Sequence, residues 1–217
     1  MTPNATDWDT YYRRPARFAP ITRRISAAKI LRTLGSRLKA PGVRVCELGG
    51  ANSCFIDDFL ALPDIGTYHV VDSNAYGVEL LNERFPNDPR VTAEVADALD
   101  LTSPAGKHDV VFSVGLIEHF DQTRTARCIE AHFHLVRPGG AVLITFPTPT
   151  LPYRLIRGAA ELFGIWAFPD ERPLTFDEVS SICSRFGRSE HESINWAIGL
   201  TQGYILTSSF DSRDDFG

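Results

Sequence analysis

Short apolar runs, each closed by a glycine or an acid and then followed by residues at helical spacing, constrain this chain more than any other feature. After Pro41-Gly42 the run Val43 to Leu48 leads to Gly49-Gly50, and then to Phe55, Ile56, Phe59 and Leu60 on one helical face behind Asp57-Asp58. Asn52 or Ser53 is placed to cap that helix. Tyr68 to Val71 ends in Asp72 and precedes a helix from Asn74 to Phe85 with Val78, Leu81 and Phe85 turned inward. Arg90 to Val95 leads to Asp97, and Val110 to Val114 runs into Gly115-Leu116-Ile117-Glu118-His119. Thr125 to Val136 has helical spacing, is stopped by Pro138-Gly139-Gly140, and is followed by Ala141 to Phe146. Strands of this length alternating with helices cannot pair as hairpins. They predict a doubly wound, mostly parallel α/β sheet with helices on both faces.

The flanks complete the architecture. Ile21, Ile25, Ala28, Leu31, Leu34 and Leu38 recur every three or four residues ahead of the sheet, as in an amphipathic helix. Between residues 147 and 173 five prolines surround an apolar, aromatic stretch, which reads as a helical cap inserted after the fifth strand. Thr175 to Phe186 resumes as a helix, and Ser189 to Asn195 with Gly203 to Ser208 form an antiparallel pair at the sheet edge, making seven strands. The expected organisation is one domain over 1–217: an N-terminal lid and helix (1–40), a ligand-binding core (41–147), a cap (148–174) and a C-terminal helix with edge strands (175–217).

Ligands of open α/β sheets bind beyond the carboxyl ends of the strands, where the strand order changes direction. The residues at those ends are Glu47, Gly49 and Gly50, then Asp72 and Ser73, then Asp97 and Ala98, then Gly115 to His119. Asp72 follows Glu47 by 25 residues, which resembles the gap between a glycine-rich turn and a ribose-binding acid. It can accept hydrogen bonds from both ribose hydroxyls. The glycines are not arranged as G-x-G-x-x-G, which argues against a nicotinamide dinucleotide.

Five segments together resemble the class I S-adenosylmethionine-dependent methyltransferases, in particular their methyltransferase-11-like small-molecule branch. They are Val45 to Ala51, Val70 to Asp72, Ala96 to Ala98, Asp109 to His119 and Leu135 to Gly140. The resemblance implies S-adenosyl-L-methionine as cofactor and S-adenosyl-L-homocysteine as product. It puts Glu47, Gly49, Gly50 and Asn52 near the methionine part, Asp72 and Ser73 at the ribose, Asp97 and Ala98 at the adenine, and Gly115 and Leu116 beneath the sulfonium. Ala51 stands where that family commonly has glycine, and its methyl narrows the backbone approach. His119 follows the fourth strand and is the candidate base, with acceptor positioning or a structural role as the other readings.

Two aromatic stretches lie outside the resemblance. Trp8, Tyr11, Tyr12 and Arg13 form either a lid, with Tyr11 or Tyr12 on the methionine carboxylate, or packing against the sheet. Tyr153, Arg154, Arg157, Trp166 and Arg172 either line a substrate pocket or belong to a helix that covers the core or contacts a second subunit. His132 and His134 are expected on an exposed helix surface.

With a net charge of −5 and no sustained basic run, the sequence argues against nucleic-acid binding. No run approaches the length of a membrane span, the first residues lack a signal-type apolar block, and the four scattered cysteines suggest neither disulfides nor a metal site. The expectation is a cytoplasmic monomer or homodimer that transfers a methyl group to oxygen or nitrogen of a small-molecule acceptor such as a sugar or nucleoside. The alternative is a non-catalytic or partner-dependent cofactor-binding subunit of the same fold.

Overall fold

The computed structural model describes residues 5–13, 19–51, 53–102, 104–197 and 200–211. Its sheet has seven strands in the order β3-β2-β1-β4-β5-β7-β6. The strands are β1 (Val43–Leu48), β2 (Ile65–Asp72), β3 (Val91–Val95), β4 (His108–Val114), β5 (Val136–Pro147), β6 (Gly187–Ala197) and β7 (Leu200–Ser209). Strands β1 to β5 pair in parallel, while β7 runs antiparallel to both β5 and β6. The order reverses between β1 and β4, so the crevice beyond their carboxyl ends is the place for a ligand.

Helices cover both faces. On one side α2 (Ala19–Leu34), α3 (Ile56–Leu60) and α4 (Ala75–Arg84) enclose a core with Ile30, Leu34, Ile56, Phe59, Leu81, Val45, Tyr68 and Phe112. On the other, α5 (Gln122–Leu135) and α7 (Phe176–Cys183) pack Cys128, Ile129, Leu135 and Val179 onto Val111, Val142 and Ile144. A six-residue helix, α1 (Trp8–Arg13), and α6 (Leu151–Leu162) flank the strand ends. None of the described helices is long and apolar enough to cross a membrane.

Several local expectations are corrected. The inward stripe of α2 is Ala27, Ile30 and Leu34, whereas Ile25 and Ala28 face outward, one residue away from the expected row. Ser53 does not cap α3, whose N-cap position is Phe55; its hydroxyl instead accepts the Phe55 N–H at 3.1 Å. Asn52 lies outside the described residues. The helix ends at Leu135, ahead of Pro138-Gly139-Gly140 as expected, but β5 starts earlier than Ala141, at Val136, with a shift of register through the turn, where Gly139 has φ +69°. His132 is fully buried rather than exposed. Its Nε2 lies 2.8 Å from the Ser113 hydroxyl of β4 and its Nδ1 2.7 Å from the Cys128 carbonyl, so the ring links α5 to the sheet. His134 is exposed as expected.

Candidate active site

A cavity of about 590 Å³ opens at the carboxyl ends of β1, β2, β3 and β4. At its base β1 delivers Glu47, which is 3% exposed and accepts the Tyr68 hydroxyl proton at 2.5 Å. Burial pushes the Glu47 carboxyl up to about 7 against the hydrogen bonds of Ser53 and Tyr68. Gly50 must be glycine, since a Cβ there would come within 2.5 Å of the Glu47 carboxyl carbon. Gly49 turns with φ +71°, and its N–H donates to the Val71 carbonyl at 2.8 Å. The strand end is thereby held against β2.

Asp72 closes β2. Its Oδ2 accepts the Ala51 N–H at 2.9 Å and its Oδ1 accepts the Asn74 N–H at 2.7 Å, while the Tyr12 hydroxyl stands 3.5 Å from Oδ2. Burial raises its pKa, and these donors oppose the rise. Ala51 is buried beside this turn. Its methyl packs toward Gly77 of α4, where a Cβ would come within 2.6 Å. Space removed from one side of the contact is restored on the other.

Ser73, Asp97, Ala98, Gly115 and Leu116 also line the cavity. Asp97 Oδ1 accepts the Leu99 N–H at 2.8 Å, which fixes the loop after β3. Gly115 adopts φ +68° as β4 ends. His119 sits in the short 3-10 turn Ile117–His119 with Nδ1 3.0 Å from Asp170 Oδ1. Burial lowers the His119 pKa, Asp170 only partly restoring it. The ring is therefore neutral near pH 7, with its orientation set by a carboxylate.

The N-terminal segment covers this turn. Trp8 meets His119 edge to face with 4.9 Å between centroids, and Tyr11 lies 5.5 Å from Phe168. The Thr6 N–H donates to Asp170 Oδ2 at 3.1 Å and its hydroxyl donates to Asp170 Oδ1, while the Asn74 side-chain amide donates to Asp9 at 2.6 Å. Tyr11 and Tyr12 both line the cavity. The Tyr12 hydroxyl is directed at Asp72 Oδ2.

Of the five residues expected to shape an acceptor pocket, Tyr153 and Trp166 line the cavity and the three arginines do not. Arg154 is exposed on α6. Arg157 is turned to Tyr153, Glu161 and Glu171, at 3.1, 2.7 and 3.7 Å. Arg172 is occupied by Glu178 at 2.8 Å and Thr125 at 3.1 Å. An anionic acceptor group has no arginine from the cap to meet it. The lining includes instead Phe168, Asp170, Glu171 and Glu118, and from α5 Arg124. Glu118 was legible only as the neighbour of His119, and its burial needed the fold.

Comparison with known proteins gives the same architecture a context. Residues 45–140 match the model of a family described as "Methyltransferase domain". No curated protein matches the chain. Among solved structures, the chain is similar to magnesium protoporphyrin IX methyltransferase from Synechocystis PCC 6803 with bound S-adenosylhomocysteine. The TM-score is 0.72 at 13% identity over 93% of this chain and 94% of that one. It is also similar to the N-methyltransferase NodS from Bradyrhizobium japonicum WM9 in complex with S-adenosyl-L-homocysteine, with TM-score 0.65 at 14% identity over 86% of each chain.

Proposed function

We propose that this chain, which has the class I methyltransferase fold with a methyltransferase domain over residues 45–140, transfers a methyl group from S-adenosyl-L-methionine to oxygen or nitrogen of a small-molecule acceptor. The observation that carries the reading is the continuity of one cavity from Asp72 and Asp97 at one end to His119, Tyr153, Trp166 and Phe168 at the other. A volume of about 590 Å³ is in the range of ligand sites, and the two ends differ in chemistry as a two-substrate reaction requires.

The residues fit the cofactor on internal grounds. Gly49, Gly50 and Gly115 keep side chains away from the backbone that lines the cavity, and Asp72 is an 8% exposed carboxyl at the strand end where a ribose diol is expected. Under this reading Asp72 and Ser73 hold the ribose, Asp97 and Ala98 the adenine, and Glu47 with the Gly49 turn the methionine part. Residues of α1 cover them. When bound, the cofactor supplies a methyl group on an activated sulfonium leaving group.

The protein's own contribution is then orientation and exclusion of water, worth up to about 7 to 11 kcal/mol in model systems. Trp8, Tyr11 and Phe168 wall the reacting region from solvent. His119, neutral and steered by Asp170, orients the acceptor and takes its proton where the acceptor is a hydroxyl.

Calorimetric titration with S-adenosylmethionine and with S-adenosylhomocysteine tests the cofactor assignment, with micromolar binding of both expected. Absence of binding by either overturns it. A methyl-acceptor screen with the loaded protein tests the transfer.

A further inference from the structure

Glu118 is the acid at the acceptor end of the cavity that the reading above leaves unexplained. It is 2% exposed, its side chain lines the cavity, and its Oε2 has no hydrogen-bond partner among the described residues. Its position is built. The Arg172 N–H donates to the Glu118 carbonyl at 2.8 Å, which fixes the backbone of the turn. A Cβ on Gly115 would stand 3.3 Å from Glu118 Oε1, so the carboxyl lies beside the glycine that ends β4.

The two acids nearby already have partners. Asp170 holds Thr6 and His119, and Glu171 accepts the Tyr153 hydroxyl with Arg157 at 3.7 Å. Leaving a buried carboxyl oxygen unpaired is costly, and native proteins rarely do it without a ligand or a task. An ionised carboxyl lacks a hydrogen-bond donor here and a protonated one lacks an acceptor; a neutral amine nitrogen can serve as either. Asp170 and Glu171 disfavour an anionic group beside them, while Arg124 lines the same cavity. An alcohol brings one donor, whereas an amine brings two or three and can carry a compensating charge. The rings of Trp8, Trp166 and Phe168 lie around the same region and favour a cation.

We propose that the methyl acceptor is an amine on an aromatic or apolar frame, its nitrogen held by the Glu118 carboxyl. This rests on the methyltransferase reading and narrows it. Burial, reinforced by Glu171 and Asp170, raises the Glu118 pKa well above the usual range, which favours its protonated form. His119 in the same turn and Cys128 of α5 also lie near it, and Arg124 of α5 lines the same cavity. An amine that arrives as R–NH₃⁺ at the protonated carboxyl forms a complex holding one proton fewer than its separated parts, that proton passing to solvent. The remaining one is shared between nitrogen and Oε2. With it on Glu118, the nitrogen lone pair forms the new N–C bond as the C–S bond breaks and its electrons pass to sulfur, leaving R–NH₂⁺–CH₃ and a neutral thioether. The positive charge moves toward the three carboxyl groups.

The test is calorimetric titration of the protein, with and without saturating S-adenosylhomocysteine. The probes are 2-phenylethylamine and octylamine, with 2-phenylethanol and phenylacetate as controls. Each amine titration is repeated in two buffers of different ionisation enthalpy. The amines should bind at least tenfold more tightly than the alcohol or the acid, with release of about one proton per amine. Glu118→Gln should lose tenfold or more in amine affinity together with the proton release, while keeping S-adenosylhomocysteine affinity within twofold. That last result separates an acceptor anchor from a contact with the cofactor. Glu118→Met, which removes the unpaired group, should lose amine binding while raising the thermal midpoint. Equal binding of amine and alcohol, or amine binding unchanged in Glu118→Gln, overturns the proposal. Failure of S-adenosylhomocysteine to bind overturns the methyltransferase reading instead, and the amine titrations without it still decide the Glu118 assignment.

Discussion

Under the proposed function Asp72 does two jobs with one carboxylate, and the two can be separated. It accepts the Ala51 and Asn74 N–H groups, which shapes the turn, and under the proposed function its remaining lone pairs receive the ribose hydroxyls. Asp72→Ala would leave the buried Ala51 N–H without a partner and mix the two effects. Asp72→Asn keeps the volume and one acceptor oxygen. It should weaken S-adenosylhomocysteine binding by about 1.5 to 3 kcal/mol, the range for hydrogen bonds to a charged group. Unchanged affinity by calorimetry would remove Asp72 from the site. Glu47 gives a second residue-scale prediction, in pH. Its folded pKa of about 7 lies above the ordinary value of 4.5, so the folded state holds the proton more tightly than the unfolded one. Its contribution is present below pH 4.5 and is lost as pH rises toward 7. Glu47→Gln has no such dependence. Wild type should therefore lose on the order of 1 to 3 kcal/mol relative to the variant over that window, read from denaturant melts at matched pH values. A constant gap would mean that the carboxyl is ionised throughout.

At the scale of elements, α1 and α5 contribute in opposite ways. None of the residues of α1 is fully buried, yet Trp8 and Tyr12 touch His119 and Asp72. Removal of residues 1–13 should leave the thermal midpoint nearly unchanged while lowering S-adenosylhomocysteine affinity about tenfold or more; a large loss of stability with intact affinity would make α1 a packing element. The α5 ring His132 is the reverse case. Its substitution by Ala should cost about 2 to 4 kcal/mol by opening a cavity and stranding Ser113, with little effect on ligand binding. The contrast shows what was legible in the sequence. Strands β1 to β5 and the acids at their ends could be read because period, length and turn residues act locally. Asp72 could be read because a strand end and a glycine-rich turn lie at a fixed distance along the chain. The arginines of the cap could not be placed: Arg157 and Arg172 find Glu161 and Glu178 nearby and turn from the cavity, a competition between partners that composition does not reveal. The joining of Thr6 to Asp170 across most of the chain, and the burial of Glu118 and His132, are products of topology.

For the molecule as a whole, the cavity joins parts that are distant in sequence. The turns after β1, β2, β3 and β4 form one wall, α1 closes over them, and the segment after α6 supplies Trp166, Phe168, Asp170 and Glu171. Edge strands β6 and β7 extend the sheet beyond β5 and, apart from Asn195, Thr201 and Gln202, stand away from it. A ligand that occupies the cavity thus bridges elements whose mutual contacts in the free protein are a few hydrogen bonds and ring edges. At a hundredfold excess over its dissociation constant it stabilises the folded state by about 2.7 kcal/mol, whatever its contacts. Where that stabilisation appears depends on the contacts. Hydrogen exchange measured with saturating S-adenosylhomocysteine should slow most in α1, the turn from Gly49 to Phe55, the start of α4 and the loops that hold Asp97 and Gly115. It should change least in β6 and in the outward face of α6, where Leu155 and Leu162 are exposed. Protection spread evenly over all seven strands would show that the ligand suppresses global unfolding only, and α1 would then lose its place as a cover over the site.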